Sequence, residues 1–182
     1  MATPTPTAFV TQFLTLGPLD ELLPTVKPTV TWEPWQCSTE MLPQYFDVPL
    51  PTGNLRTALK SYNDELIKDC EPTSTNVYGM SACDFPDASL WCAFTTKAPP
   101  TILPEFNSYA SSASSWWSAR SSKAVSLAHE CPLGWYKAML STPAGAAWLN
   151  QTLIFGECYA EAHSTSKTGY TLKTSSASSS RG

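Results

Sequence analysis

The longest helix of the chain is predicted by residues 104–130, which read PEFNSYASSASSWWSARSSKAVSLAHE. Pro104 suits the first turn of a helix, and Glu105 suits its positive end. The residues of one helical stripe recur every three or four positions: Phe106, Tyr109, Ala113, Trp116, Arg120, Ala124, Leu127 and Cys131. Most of the intervening residues are serine or alanine, whose small side chains would let a second helix approach closely.

Further helices are predicted on both sides of this one. Apolar residues at helical spacing favour a helix over residues 54–70, and a short helix is predicted near residues 86–94. Pro132 would begin a helix that ends near Leu140. Thr142 would cap the last helix, with Pro143 in its first position and its end near His163. We therefore expect a mainly α fold, a small helical bundle held by disulfides.

The first 53 residues form a different kind of chain. Nine of the sixteen prolines lie within residues 1–51, and the net charge of residues 1–53 is −4. This composition predicts an extended, Pro-rich, acidic arm partly packed on the core, with a helical turn after Pro18 and a short strand over residues 29–32. Side chains expected to anchor the arm are Trp32, Trp35, Tyr45 and Phe46.

The expected organisation has three parts. Residues 1–53 are the arm, residues 54–163 are the disulfide-stapled helical domain, and residues 164–182 are a disordered tail rich in Ser and Thr. Residues 1–8, rich in Thr and Pro, are expected to be extended.

Composition excludes several classes of protein. Of the 182 residues, 42% are hydrophobic and 14% are charged, which is too apolar for a disordered chain. A net charge of −4 argues against a nucleic-acid partner. No apolar run reaches 18 residues, so no transmembrane segment is expected. The start has neither the basic nor the apolar region of a signal peptide, and we expect that a leader preceded Met1.

The cysteine pattern favours disulfides over metal. Six cysteines lack the CxxC spacing of zinc sites, so we expect three disulfides, among 15 possible pairings. The cysteines are Cys37, Cys70, Cys83, Cys92, Cys131 and Cys158. A glycosylation sequon begins at Asn150, and the terminal Thr-Pro and Ser/Thr runs resemble O-glycan acceptors. These features predict a secreted, extracellular glycoprotein, with a cell-surface location of the longer precursor as a further option.

Catalytic residues are not expected. His129 and His163 both lie at predicted helix C-termini, where a cation is favourable without catalysis. Glu157 and Glu161 are one helical turn apart, which indicates a solvated face rather than a catalytic pair. The sequence holds no GxSxG, HExxH, Walker or dinucleotide motif. We therefore expect no cofactor, no metal and no enzymatic activity.

Aromatic residues supply the candidate binding positions. Seven tryptophans are many for this length, and most are expected in the core. Trp32 and Trp35, in the arm, are better candidates for an exposed surface. Further candidates are Phe85, in the loop between Cys83 and Cys92, and Trp117, because adjacent Trp116 and Trp117 point in different directions on a helix.

Four blocks carry a resemblance to a known family. They are WCAFTT at residues 91–96, SSWW at 114–117, HECPLGWY at 129–136 and TPAGAAWLN at 142–150. Over residues 54–163 the chain resembles a family of secreted, cysteine-containing proteins of filamentous ascomycete fungi. Their Ser/Thr-rich tail often ends in a hydrophobic lipid-anchor signal, and residues 164–182 of this sequence contain no such hydrophobic run. The resemblance implies an effector-like role in virulence and no catalytic residues.

The expected function is binding at the host or cell-wall interface by a monomeric protein. In one mechanism, the proline-stiffened arm or the loop between Cys83 and Cys92 inhibits a host extracellular hydrolase, such as a papain-like cysteine protease. A stiff segment loses little entropy on binding, as a tight inhibitor requires. In the alternative, Trp32 and Trp35 stack on a cell-wall glycan, and the protein is a glycan binder or a structural surface protein.

Overall fold

The computed structural model describes residues 19–76 and 79–164. Most of this part of the chain is helical, so the predicted mainly α class is confirmed. The helices are α1 (Leu19–Leu22), α2 (Gly53–Leu66), α3 (Ala88–Cys92), α4 (Phe94–Lys97), α5 (Leu103–Glu130), α6 (Pro132–Ser141) and α7 (Gly145–Ser164). Two 3-10 turns lie in the arm, at Trp35–Ser38 and Leu42–Tyr45. Strands β1 (Ser74–Thr75) and β2 (Ser81–Ala82) pair antiparallel, with Ser74 opposite Ala82.

Helices α5 and α7 pack closely because small residues line their contact. Ala110 and Ala113 on α5 are completely buried. On α7, a Cβ placed on Gly156 would lie 3.0 Å from the Ser114 amide nitrogen and 3.1 Å from the Ser114 Cα. The two backbones therefore nearly touch at Gly156, as the small residues of α5 predict.

The core consists of two clusters of buried side chains, and both α5 and α7 contribute residues to each cluster. In one, the Phe155 ring meets Trp91, Phe106 and Tyr109 edge-on, at centroid distances of 5.8, 5.2 and 5.9 Å. The other is built around Trp135, which is completely buried beneath the arm. Aromatic pairs in such tilted or edge-on arrangements each contribute about 0.5–1.5 kcal/mol beyond burial.

All six cysteines are paired, and the structure resolves the pairing that the sequence left open. The disulfides are Cys37–Cys131, Cys70–Cys83 and Cys92–Cys158, spanning 94, 13 and 66 positions. The first ties the arm to the junction of α5 and α6, and the third ties α3 to α7. In the loop-closure model, bridges over such long separations each stabilise the fold by about 4 kcal/mol. The loop between Cys83 and Cys92 is therefore held by two different bridges and is not closed by one of its own.

Several local predictions were wrong. The last helix begins at Gly145 because Ala144 adopts a φ of 55°, and the Thr142 hydroxyl donates back to the Ala138 carbonyl instead of capping α7. Helix α2 ends at Leu66, four residues before the predicted end. Residues 29–32 form no strand. The predicted extended segment 1–8 and residues 165–182 of the predicted tail lie outside the described residues.

Replacing Gly156 with alanine tests the close approach of α5 and α7. Helix propensity alone would stabilise this variant by about 1 kcal/mol. The new Cβ instead meets backbone atoms of α5 that cannot rotate away, so we expect Gly156→Ala to lower the free energy of unfolding by about 1–3 kcal/mol. Urea denaturation measures the sign of this change. A stabilised variant would mean that the two backbones do not approach each other closely at Gly156.

Candidate binding surface

The arm is anchored at the first turn of α6. Helix α5 ends at Glu130, and Pro132 starts α6 after a single linking residue, Cys131. The backbone N–H groups of the first turn of a helix have no partner within the helix. Here the Leu133 and Gly134 amides donate to the Glu33 carboxylate, at 2.5 and 3.1 Å. A carboxylate also suits the positive end of the helix dipole, so Glu33 caps α6 from 100 residues away.

Trp135 holds two further parts of the arm. Its indole N–H donates to the Leu22 carbonyl at 2.9 Å, in a bond that is buried. The rings of Phe46 and Tyr45 pack on the indole, at centroid distances of 4.9 and 5.6 Å. The predicted anchoring by Tyr45 and Phe46 is therefore confirmed.

The middle of the arm is fixed by a disulfide and by close packing. Cys37 is bonded to Cys131, directly before α6. A Cβ on Gly134 would lie 2.8 Å from the Leu42 Cδ1, so glycine at this position admits the arm's Leu42 side chain. The ion pair of Lys123 with Glu40, at 3.0 Å, is solvent-exposed and adds little. The arm is thus held along its length from Leu22 to Phe46.

The same segment exposes large apolar side chains. The exposed fraction of Trp32 is 76% and that of Trp35 is 71%, so the prediction that these two rings anchor the arm was wrong. They flank Glu33 in sequence, and Cys37 follows Trp35 by two residues, yet both rings face solvent. We call the exposed set the arm surface; it consists of Val26, Val30, Trp32, Trp35 and Met41.

The remaining candidate binding residues, Phe85 and Trp117, differ in how much of each side chain is exposed. Phe85 is 40% exposed, and the other face of its ring stacks on Trp91 at 5.4 Å. Trp117 is only 8% exposed and belongs to the core cluster around Trp135. Its indole therefore serves packing, and Trp116 is the more exposed of the adjacent pair, with the Arg120 guanidinium 5.1 Å from its ring.

The predicted sequon lies inside α7. Asn150 is half-buried, and the Thr152 side chain is completely buried. An enzyme that reads the sequon needs access to both residues, so a glycan at Asn150 would have to be added before α7 folds. Glycosylation at Asn150 stays a prediction.

The candidate acid–base groups lie in two places: His129 at the end of α5, and Glu157, Glu161 and His163 near the end of α7, where Glu161 and His163 line one groove. His129 is exposed in the last turn of α5. The His163 ring stacks on Tyr159, and its Nδ1 lies 2.8 Å from the Tyr159 carbonyl oxygen, a contact that closes α7. Burial, together with the charge of Glu161, raises the pKa of Glu157.

A cleft of about 780 Å³ lies between residues 49–55 and the start of α5. Its one carboxylate is that of Glu105, and no imidazole or basic side chain lines it. Burial raises the pKa of Tyr109, at its base, to about 12, so this phenol stays protonated at neutral pH. The cleft therefore combines prolines and hydroxyls without the paired nucleophile and base that covalent catalysis needs.

The comparison with protein families covers both the arm and the helices. The model of Domain of unknown function (DUF7735) matches residues 22–168. The chain belongs to the DUF7735 family. The DUF7735 match begins at Leu22, the residue whose carbonyl accepts the Trp135 bond, and so takes in the whole anchored arm. No curated protein and no solved structure matches the chain.

Residues 19–76 and 79–164 offer neither a cluster of metal ligands nor a helix suited to spanning a membrane. They contain no cluster of three His, Cys, Asp or Glu side chains placed to hold a metal ion. No helix among them is both long and apolar enough to cross a bilayer.

Some anchoring residues were missed by the sequence analysis. Glu33 lies 100 positions from Leu133, so no local pattern links the two. Pro132 did mark a helix start, and hence free amides, but nothing in the sequence identified the carboxylate that meets them. The sequence pattern did not distinguish Trp135 from the other tryptophans, each of which was compatible with either the core or a binding surface.

Removing the Glu33 carboxylate tests this anchor. Glu33→Ala leaves the Leu133 and Gly134 amides without their acceptor in a partly buried place, and we expect a loss of about 1–2 kcal/mol in the free energy of unfolding. Glu71→Ala, which removes an exposed carboxylate outside the arm, should stay within about 0.5 kcal/mol of the parent. Equal stabilities of the two variants in urea would contradict the capping role.

Proposed function

We propose that this DUF7735 protein is a secreted, non-catalytic protein that acts by binding a partner protein through the arm surface. The observation that carries the proposal is the exposure of Trp32 and Trp35 on a segment whose other side is fixed to the core. Three disulfides fit an oxidising, extracellular compartment.

Anchoring reduces the entropy that binding costs. Glu33 and Cys37 fix the backbone beside both tryptophans, and Pro24, Pro28 and Pro34 restrict its φ angles. A segment already held in one conformation loses less freedom when a partner covers it. The arm surface therefore has the preorganisation that a tight interface requires.

The composition of the arm surface favours protein over glycan. Tryptophan and methionine are enriched in protein interfaces, and tryptophan is among the commonest hot-spot residues. Val26, Val30 and Met41 add aliphatic surface that offers no flat face to a sugar ring. All five exposed side chains of the arm surface lie within residues 26–41, and apolar exposure concentrated on one segment supports an interaction site.

The partner class that best fits an extended, proline-rich segment is an extracellular hydrolase with an open cleft. A papain-like cysteine protease of a host is the specific candidate, since the arm could lie along the cleft as an extended substrate does. Prolines at residues 24, 28 and 34 would hinder cleavage there, because they remove amide donors and fix the backbone. Together with the resemblance to secreted fungal proteins, this supports an effector-like role.

Inhibition assays with purified proteins test the proposal. We expect the oxidised protein to inhibit a papain-like protease of plant extracellular fluid. The double variant Trp32→Ala/Trp35→Ala should weaken inhibition by about 30-fold, the effect of losing a hot spot of about 2 kcal/mol.

The matched control is Met80→Ala/Leu50→Ala, which removes two exposed apolar side chains outside the arm surface, 58% and 49% exposed. This control should inhibit as the parent does, and both double variants should unfold at the same urea concentration. Loss of inhibition in the control as well would show that the effect is not specific to the arm surface.

Binding to cell-wall glycan is the second candidate function, and the exposure of two indole rings favours it. It predicts that insoluble wall polysaccharide retains the protein and that Trp32→Ala/Trp35→Ala abolishes retention. Retention of this kind, without inhibition of any papain-like protease, would overturn the first proposal in favour of the second.

A further inference from the structure

A groove outside the arm surface combines aromatic, cationic and amide side chains. It lies between α2 and α7, has a volume of about 290 Å³, and is bordered by the loop that carries Phe85. We call it the α2–α7 groove. Its polar and aromatic lining residues are Arg56, Lys60, Asn63, Phe85, Trp148 and Gln151. None of these belongs to the arm surface, so the groove is independent of the function proposed above.

Two flat rings of the groove are held in place. The Phe85 ring stacks on the buried Trp91 at 5.4 Å, with 25° between the planes, and 40% of the residue remains exposed. Trp148 is half-buried and packs against the core cluster around Trp135. Fixed aromatic faces that remain partly open are suited to stacking against the C–H face of a ring.

One cation of the groove has free hydrogen-bonding capacity. The Arg56 guanidinium lies 5.9 Å from the centroid of the Trp148 ring. Within residues 19–76 and 79–164, the ion pairs are Lys60 with Asp64 and Lys123 with Glu40, and Arg56 takes part in neither. A guanidinium binds a carboxylate through two parallel hydrogen bonds, and in a chain of net charge −4 this makes the groove a local site for an anion.

Amide side chains complete the chemistry. Asn63 and Gln151 line the groove, and both are half-buried. Each amide has donors and an acceptor, the combination that a sugar hydroxyl can satisfy. A purely aromatic acid would leave these amides unused. The volume is at the lower end for small-molecule sites, which suits one or two sugar units.

We propose that the α2–α7 groove binds a uronic-acid unit of an acidic oligosaccharide. The sugar ring lies against the open face of Phe85, its carboxylate accepts from Arg56, which lies over Trp148, and its hydroxyls bond to Asn63 and Gln151. The proposed ligand must therefore combine a sugar ring, a carboxylate and free hydroxyl groups in one molecule.

Titration with trigalacturonic acid tests this proposal, with amide NMR spectra of the labelled protein as the readout. We expect saturable shifts confined to α2, α7 and the Phe85 loop. Arg56→Gln should weaken binding by about tenfold or more, as the loss of a charge-assisted pair predicts. Arg120→Gln is the matched control, because Arg120 also lies over an indole, that of Trp116, but outside this groove. It should bind as the parent does.

Two further ligands make the test decisive. A neutral galactose trisaccharide should bind at least tenfold more weakly than trigalacturonic acid, and 4-hydroxybenzoate should not compete. Equal binding of the neutral sugar, equal binding by Arg56→Gln, or preference for the aromatic acid would each overturn the proposal. Absence of any chemical-shift change with the ligand at millimolar concentration, about tenfold above the protein, would also overturn the proposal. None of these outcomes depends on protease inhibition through the arm surface.

Discussion

The buried bond from the Trp135 indole to the Leu22 carbonyl belongs to a small set of contacts on which the arm depends. The first turn of α6 supplies the rest: two free amides for Glu33, and space beside Gly134 for Leu42. Pro132 and Cys131 place this turn directly after α5, so the longest helix of the fold determines where the arm lies. Without this anchor, the prolines of the arm would leave it extended but not fixed.

The anchored arm explains why exposed tryptophans are compatible with a stable fold. Tyr45 and Phe46 bury their rings against Trp135, and their burial together with the Cys37–Cys131 bridge offsets the cost of ordering the segment. Trp32 and Trp35 contribute little to this packing, because most of each side chain faces solvent. Their exposure on an anchored segment is the observation on which the proposed partner surface rests. The family match from residue 22 onward includes this arm with the helices.

Local periodicity predicted the helices well, because their residues repeat at helical spacing. The stripe from Phe106 to Leu127 identified α5, and its small residues correctly indicated a close neighbour, which proved to be α7 at Gly156. Helix α7 begins later than expected because Ala144 adopts a positive φ. Pro143 alone did not allow this turn to be predicted. Contacts between distant residues could not be predicted, since Glu33 and Leu133 share no local signal. The same limit left the disulfide pairing and the assembly of the α2–α7 groove open.

The central claim is that residues 22–46 of the arm are a fixed part of the fold that holds Trp32 and Trp35 in one arrangement. The most direct test is ¹⁵N relaxation of the backbone amides of these two residues, compared with residues in the middle of α5. The account predicts order parameters of about 0.85 at Trp32 and Trp35, equal to those of α5. Values below about 0.6 at Trp32 and Trp35, with α5 rigid, would show a flexible arm and contradict the claim.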